Sequence, residues 1–431
     1  MPDSVIQNAL RNEPSDRLWR YIAYYAMSEF AQRATRLATT ILLARLLLPL
    51  ELGIAATAIT CFELLRTVAN SGVGQAVIRS ADDRLAGTCV TAHRLMWAIC
   101  LGLALLQTAL GACVATWTGR TELFPMIAAL SGVYLMMPPA LIQTYLLQRA
   151  SDHATIAKVA TAQAVADNVM TIVLALAGFG AWSIVIPKLA TCPIWMLAMR
   201  RAKQWRPDPL AAPAPMRELM RFSLPVLGAE LLTTARLQLD KVLVGAMLGI
   251  EALGIYYFIF NAGIGLSLSL TGALSNTLYP YFAAVAASPA MLLQRLDRSL
   301  LQKALPIAAI ILVQAALAPI YVPLLFGAKW ISSAWLVSVL CASASTKLFA
   351  DAGAQALRAS GATQSELKGT LGITVLSISG LAIGLTHSLT TAVIFVALAS
   401  GIAQLGFAVL ARRIISNSAT ADQSNLAGAP A

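Results

Sequence analysis

The feature that most constrains this chain of 431 residues is the alternation of long apolar segments with short polar gaps. A helix that crosses the hydrocarbon core of a bilayer, about 30 Å thick, needs about 20 apolar residues. Twelve segments meet this length, so the sequence predicts an all-α integral membrane protein with about twelve transmembrane helices. The predicted spans are 21–48, 53–78, 92–117, 124–148, 156–178, 182–199, 222–248, 252–283, 302–324, 331–353, 369–388 and 390–411.

The lysine and arginine residues concentrate in every second gap between these spans. Of the 31 basic residues, 22 lie in alternate gaps, in the span ends that border those gaps, or beyond the end spans. Another 3 lie in or next to the other gaps, and 6 lie deeper inside spans. Because basic loops stay in the cytoplasm, this distribution predicts that both termini are cytoplasmic. It also accounts for the net charge of +11 by topology and contact with anionic lipids, so no nucleic-acid partner is expected.

The chain is 58% apolar and only 12% charged, whereas soluble domains average about 25% charged residues. Little sequence is left for a soluble domain, and residues 1–20 lack the apolar core of a cleavable signal peptide. A basic, proline-containing stretch at 200–221 separates six spans from six. The predicted organisation is a cytoplasmic N-terminal segment, an N-lobe of helices 1–6, a cytoplasmic linker, a C-lobe of helices 7–12 and a disordered cytoplasmic tail, at 1–20, 21–199, 200–221, 222–411 and 412–431.

The two predicted lobes resemble each other at a spacing of about 200 residues. Arg36 in the first span has a counterpart in Arg236, and the segment LLLPLELGI (46–54) has one in AMLGIEALGI (246–255). A repeat with an even number of spans is parallel, so the lobes are expected to be related by a pseudo-two-fold axis along the membrane normal.

Ionisable residues inside the spans are the candidate functional residues, because each costs about 2.5 to 3.5 kcal/mol at a helix centre. One interpretation is that they pair with one another or extend to the surface and only hold the bundle together. The other is that arginines line a water-filled cavity and bind an anionic group, with acidic residues orienting them or binding a coupling ion. The candidate cations are Arg33, Arg36 and Arg236, and the candidate acidic residues are Glu29, Glu63, Asp167, Glu230 and Asp240.

Arg66, Lys188 and Lys241 also lie inside spans, and for them the structural interpretation is favoured. The chain contains no GxxxxGK[ST] phosphate loop, so ATP hydrolysis is not expected. Its six cysteines form no CxxC pair, which predicts neither a disulfide nor a metal site. No catalytic residue and no cofactor is predicted.

Several segments, in order along the chain, resemble the polysaccharide transporter family, the Wzx-type O-antigen flippases of the multidrug/oligosaccharidyl-lipid/polysaccharide exporter superfamily. The chain departs from the family at Leu48, where the family usually has glycine. The similar segments are LLARLLLPLELGI (42–54), SGVGQAVIR (71–79), MRELMRFSLPVLGAELL (216–232), LDKVLVGAMLGIEALGIYYF (239–258), LYPYF (278–282), FGAKWISSAWLV (326–337) and GAQALRASG (353–361).

The resemblance implies two six-helix lobes that work by alternating access in the bacterial inner membrane. It implies a substrate as well: an oligosaccharide repeat unit linked to undecaprenyl diphosphate, moved to the periplasmic leaflet for surface polysaccharides such as lipopolysaccharide or exopolysaccharide. Membrane lipids, a polysaccharide polymerase and a chain-length regulator are the implied partners.

Three other functions stay open at this point. A lipid II flippase belongs to the same superfamily but usually has fourteen helices. A drug/cation antiporter would favour an acidic cavity over one lined by arginine. A membrane enzyme of polysaccharide assembly would need catalytic loops on one face, and the outer gaps of this chain are short.

Overall fold

The computed structural model describes residues 32–69, 72–207, 212–286 and 288–427, and all regular elements in these ranges are helical. The chain divides into two compact units. Unit 1 contains Met1–Leu46 and Cys61–Leu232, and unit 2 contains Leu47–Thr60 and Thr233–Ala431. The predicted lobe boundary at the linker 200–221 stays a prediction.

Unit 1 is built from helices that follow one another through short turns. The helices that lie wholly in this unit are α1 (32–46), α3 (Val73–Arg79), α4 (Leu85–Thr118), α5 (Leu123–Met136), α6 (Pro138–Arg149), α7 (His153–Leu176) and α8 (Trp182–Ala202). It also contains the second part of α2 (Pro49–Ala69) and the start of α9 (Met216–Ala262). Helices α5 and α6 meet at a bend of 54°, where Pro138 and Pro139 cannot donate backbone hydrogen bonds.

Unit 2 contains the first part of α2, the rest of α9 and the helices that follow it. These are α10 (Ile264–Ala283), α11 (Pro289–Ser299), α12 (Leu305–Tyr321), α13 (Ile331–Ala359), α14 (Thr363–Leu385) and α15 (Leu389–Ala427). π-helical turns at Leu300–Ala304 and Val322–Phe326 flank α12. Helix α15 continues to Ala427, through most of the segment predicted as a disordered tail.

The membrane character predicted from hydropathy is confirmed. Within the described residues, eight helices are long and apolar enough to cross a bilayer, and nine if the bent pair α5–α6 is one span. Each of these nine matches a predicted span. The other three predicted spans fall on α1, α9 and α10, which are helical but are not among the nine.

Helix α9 differs from its prediction at both ends. Met216–Arg221, predicted to belong to the cytoplasmic linker, are the first turns of α9. The predicted break after residue 248 is present as a kink at Gly249, whose backbone has φ 86° and ψ 175°. Only glycine adopts a positive φ of this kind without a steric cost, so the glycine at position 249 determines where the helix can kink.

Two segments of unit 2 approach each other at glycine residues. A Cβ atom on Gly53 would lie 1.9 Å from the carbonyl oxygen of Ile250, and a Cβ atom on Gly254 would lie 1.8 Å from that of Pro49. Any other residue at either position would therefore force the backbones apart. These are the two segments whose similarity predicted the internal repeat, and here they contact each other reciprocally.

Candidate functional site

Unit 1 contains a cavity of about 610 Å³ that is walled by six helices and the start of α9. Side chains of α2, α3, α5, α6, α7 and α8 line it, and Glu230 contributes from α9. Its volume lies in the range of roughly 300 to 1,000 Å³ that is usual for small-molecule sites. Gln75 and Gln148 line it close to the basic gaps at 79–94 and 149–158, so this end of the cavity is expected on the cytoplasmic side.

Two ion pairs lie at the cavity. Lys188 Nζ on α8 is 2.5 Å from Asp167 Oδ2 on α7, and Arg66 Nη1 is 3.3 Å from Glu63 Oε1, one turn earlier on α2. The second oxygen of Asp167, Oδ1, is buried without a hydrogen-bond partner among the described residues. Each cation is thus balanced by a carboxylate, while one carboxylate oxygen keeps an unused capacity to accept a hydrogen bond.

Tyr145 forms part of the floor of the cavity and is 7% exposed. Its ring packs directly on Gly74, where a Cβ atom would lie only 2.3 Å from the Tyr145 ring. The hydroxyl of Tyr145 is buried and has no hydrogen-bond partner in the described part of the chain. A buried hydroxyl without a partner is costly, so this group is a candidate for contact with a bound molecule.

Arg149, at the end of α6, binds the end of α3 beside the cavity. Its guanidinium donates to the carbonyl oxygens of Ile78, at 2.9 Å, and of Ser80, and it pairs with Asp82. The last carbonyl groups of a helix lack partners within the helix, and a cation satisfies them. Arg149 therefore holds the end of α3, and with it the wall formed by Gly74 and Gln75.

The predicted arginines of the first span lie outside this cavity lining. Gln32 and Thr35 of α1 bond to Thr161 and Asn168 of α7. Thr39 donates to the carbonyl oxygen of Asn168 from the same face of α1. Arg33 and Arg36 lie beside that face and are exposed.

The other predicted residues are distributed as follows. Glu63, Asp167 and Glu230 lie at or beside the cavity of unit 1. Asp240 lies in unit 2, where Tyr256 Oη donates to its Oδ2 at 2.9 Å. Glu29 and the side chain of Arg236 lie outside the described part of the structure. Grouping of the three arginines stays a prediction.

Sequence reasoning placed Arg66 and Lys188 among the structural charges and did not identify Tyr145. The structure puts all three on the cavity lining. For Tyr145 a signal was present in Gly72-Val73-Gly74, a pair of small residues that permits close approach of another helix. In the described residues, no three His, Cys, Asp or Glu side chains are grouped as a metal ion would require.

Comparison with known proteins identifies the family. The family described as "Polysaccharide biosynthesis protein" matches residues 42–335, well over half of the chain. The chain belongs to the polysaccharide biosynthesis protein family. The resemblance found in the sequence motifs, to the polysaccharide transporters of the exporter superfamily, is thereby confirmed.

A curated relative is the succinoglycan biosynthesis transport protein ExoT of Rhizobium meliloti (strain 1021), with 24% identity over 329 residues. The match covers 75% of this chain and 65% of the length of that relative.

Two solved structures share the fold. One is the lipid II flippase MurJ in an inward closed conformation, with a TM-score of 0.69, 11% identity, and coverage of 95% of this chain and 94% of the other. The second is an inward-facing multidrug resistance MATE family transporter of the MOP superfamily, with a TM-score of 0.63 and 15% identity. That alignment covers 90% of this chain and 95% of the other. At these identities the likeness establishes the fold alone, that of an all-helical membrane protein.

Proposed function

We propose that this protein is a flippase that moves an oligosaccharide repeat unit linked to undecaprenyl diphosphate from the cytoplasmic to the periplasmic leaflet of the bacterial inner membrane. The observation that carries the proposal is the family match over residues 42–335. The name of the curated relative, a transport protein of succinoglycan biosynthesis, supports transport over catalysis. The many apolar helices support a membrane-embedded substrate path.

The diphosphate of such a substrate needs a cationic contact. Arg33 and Arg36 are exposed on α1, one turn apart. A guanidinium stays charged at any physiological pH and binds phosphate oxygens in pairs. Arg236 is the proposed counterpart in the other half of the repeat. The residues proposed to orient the arginines or to bind a coupling ion are Glu29, Glu63, Asp167, Glu230 and Asp240.

Transport would use alternating access, with the sugars moving through a wet path while the isoprenoid tail stays in lipid. The transmembrane potential is worth about 2.3 kcal/mol per charge per 100 mV, and use of the flipped lipid by a polymerase would pull the cycle forward. A polymerase and a chain-length regulator are therefore the proposed functional partners.

The test of the proposed function is deletion of the gene in its own host. Lipid-linked repeat units should accumulate on the cytoplasmic leaflet while surface polysaccharide is lost, and the wild-type chain should restore it. Normal surface polysaccharide in the deletion strain, with no accumulated lipid-linked sugar, would contradict the proposal.

The diphosphate role is tested separately with Arg36→Ala and Arg236→Ala. Because a hydrogen bond to a charged group contributes about 1.5 to 3 kcal/mol, each change should slow transport roughly 10- to 100-fold. Arg413→Ala, at an exposed position, is the control and should restore surface polysaccharide fully. If both arginine variants restore it at normal protein levels, the arginines do not bind the diphosphate.

A further inference from the structure

The cavity of unit 1 offers a diphosphate no unpaired cation among the described residues. Its charged lining side chains, within the described residues, are Arg66, Lys188, Asp167 and Glu230. Arg66 and Lys188 are each held by a carboxylate, Glu63 and Asp167. Glu230 lines the cavity without an ion-pair partner among the described residues, so the cavity presents a carboxylate and no unpaired cation. An anion brought here would meet an uncompensated carboxylate, which is unfavourable.

The uncharged part of the lining has a different character. Gln75, Gln148 and Gln163 line the cavity, and none of their amides makes a side-chain hydrogen bond within the described residues. An amide offers both a donor and an acceptor. The Tyr145 hydroxyl is likewise buried and without a partner. The cavity therefore presents several unused groups that both donate and accept hydrogen bonds.

Aromatic faces complete the lining. Trp195 lies on α8, half-buried, with part of its surface against the small cluster formed by Ala140, Leu147 and Met199. Phe62 and Tyr145 lie on other walls. Rigid aromatic rings beside amides and a carboxylate suit a ligand with apolar faces and many hydroxyl groups.

We propose that this cavity binds uncharged sugar residues of the repeat unit, whereas the diphosphate binds elsewhere. The proposal rests on the flippase function proposed above and names the part of the substrate that unit 1 receives. A sugar hydroxyl donates one hydrogen bond and accepts others, which matches the unused amides, the Tyr145 hydroxyl and Asp167 Oδ1. The volume of about 610 Å³ has room for a few sugar rings but not for a polyprenyl chain.

The experiment uses the full-length protein in lipid nanodiscs. The probe is the free oligosaccharide that mild acid releases from the lipid-linked repeat units accumulated in the deletion strain, after removal of phosphate. Binding is measured by isothermal titration calorimetry. The wild-type protein should bind this probe, and excess inorganic pyrophosphate should not displace it.

Matched variants locate the site. Gln163→Leu removes one amide and should weaken binding roughly three- to tenfold. Trp195→Ala should weaken it by about tenfold, whereas Trp195→Phe keeps a ring and should retain most of the affinity. Gln294→Leu is the control, because Gln294 is exposed in unit 2 and outside the cavity lining. It should bind as the wild type does.

The outcomes separate the two proposals. If lipid-linked repeat units do not accumulate in the deletion strain, the flippase function fails and the sugar site fails with it. If they accumulate but the free oligosaccharide does not bind, only the sugar site is overturned. Binding that is displaced by pyrophosphate, or that is unchanged in both Gln163→Leu and Trp195→Ala, also overturns it. The Trp195→Phe variant guards against a loss caused by misfolding.

Discussion

Each unit contains a cluster of charged side chains on its helices. The two clusters differ in how deeply the side chains are buried and in how many of their polar atoms have a partner. In unit 2, the side chains of Lys241 and Asp240 are 11% and 19% exposed. Asp240 accepts from Tyr256 Oη at 2.9 Å and from the backbone N–H of Lys241 at 2.8 Å. Lys241 Nζ donates to Gln238 Oε1 at 2.8 Å and lies 4.9 Å from the ring centre of Phe260.

In unit 1, the Arg66–Glu63 pair is more open. The side chains of Arg66 and Glu63 are 44% and 34% exposed and share one contact of 3.3 Å. Asp167 keeps a buried oxygen that has no hydrogen-bond partner among the described residues. The closed cluster of unit 2 has the properties of a structural element, whereas the open cluster of unit 1 retains capacity for a ligand. The two clusters are distinguished by the burial of their side chains and by the hydrogen bonds and ion pairs these make, more than by charge alone.

The largest expected difference between the clusters is in stability. Asp240→Leu leaves the Lys241 ammonium buried without its carboxylate, which should cost about 3 kcal/mol of unfolding free energy. Glu63→Leu breaks a half-exposed pair and should cost less than about 1 kcal/mol. Unfolding of the purified protein in mixed micelles, titrated with denaturing detergent, measures both. An equal loss of unfolding free energy in the two variants would contradict the distinction between the closed cluster of unit 2 and the open cluster of unit 1.

A smaller effect is expected at the two buried tyrosines, which are matched in size and substitution. Tyr256→Phe removes a hydrogen bond to the Asp240 carboxylate and should destabilise unit 2 by about 1.5 kcal/mol. Tyr145→Phe removes a hydroxyl that has no partner in the described part of the chain, and it should leave stability unchanged or slightly raised. The same detergent titration measures the two variants. A loss at Tyr145→Phe as large as that at Tyr256→Phe would show that its hydroxyl is already satisfied in the free protein.

The smallest effect is the response to salt. The Debye length falls from about 10 Å at 0.1 M salt to about 3 Å at 1 M, so a water-exposed pair is screened while a buried one is not. The stability difference between Glu63→Gln and wild type, a few tenths of a kcal/mol, should vanish at high salt. The difference for Asp240→Asn should persist. Persistence of both would indicate that the Arg66–Glu63 pair is shielded from solvent.

The sequence predicted what local physics determines. Hydropathy located nine of the spans, and the glycine at 249 marked the kink between two predicted helices. None of these features requires knowing which helices are neighbours.

Predicting the cavity would have required knowing which helices are neighbours. Lys188 meets Asp167 across the α7–α8 hairpin, and Tyr145 meets Gly74 from a different helix. Arg66 and Lys188 were interpreted as structural charges, yet a paired cation still lines a cavity. Hydropathy and spacing carry no information about such tertiary contacts. The residues that line the cavity could therefore not be predicted from the sequence.

The contact between Gly53 and Gly254 has a consequence for symmetry. Each glycine receives the carbonyl oxygen of the opposite segment, Ile250 in one case and Pro49 in the other. This is an isologous contact, the type by which two identical subunits form a dimer, but here it lies within a single chain. In a true homodimer one substitution would alter both contacts at once. Here each half can be changed alone, so the two sides of the interface are free to diverge.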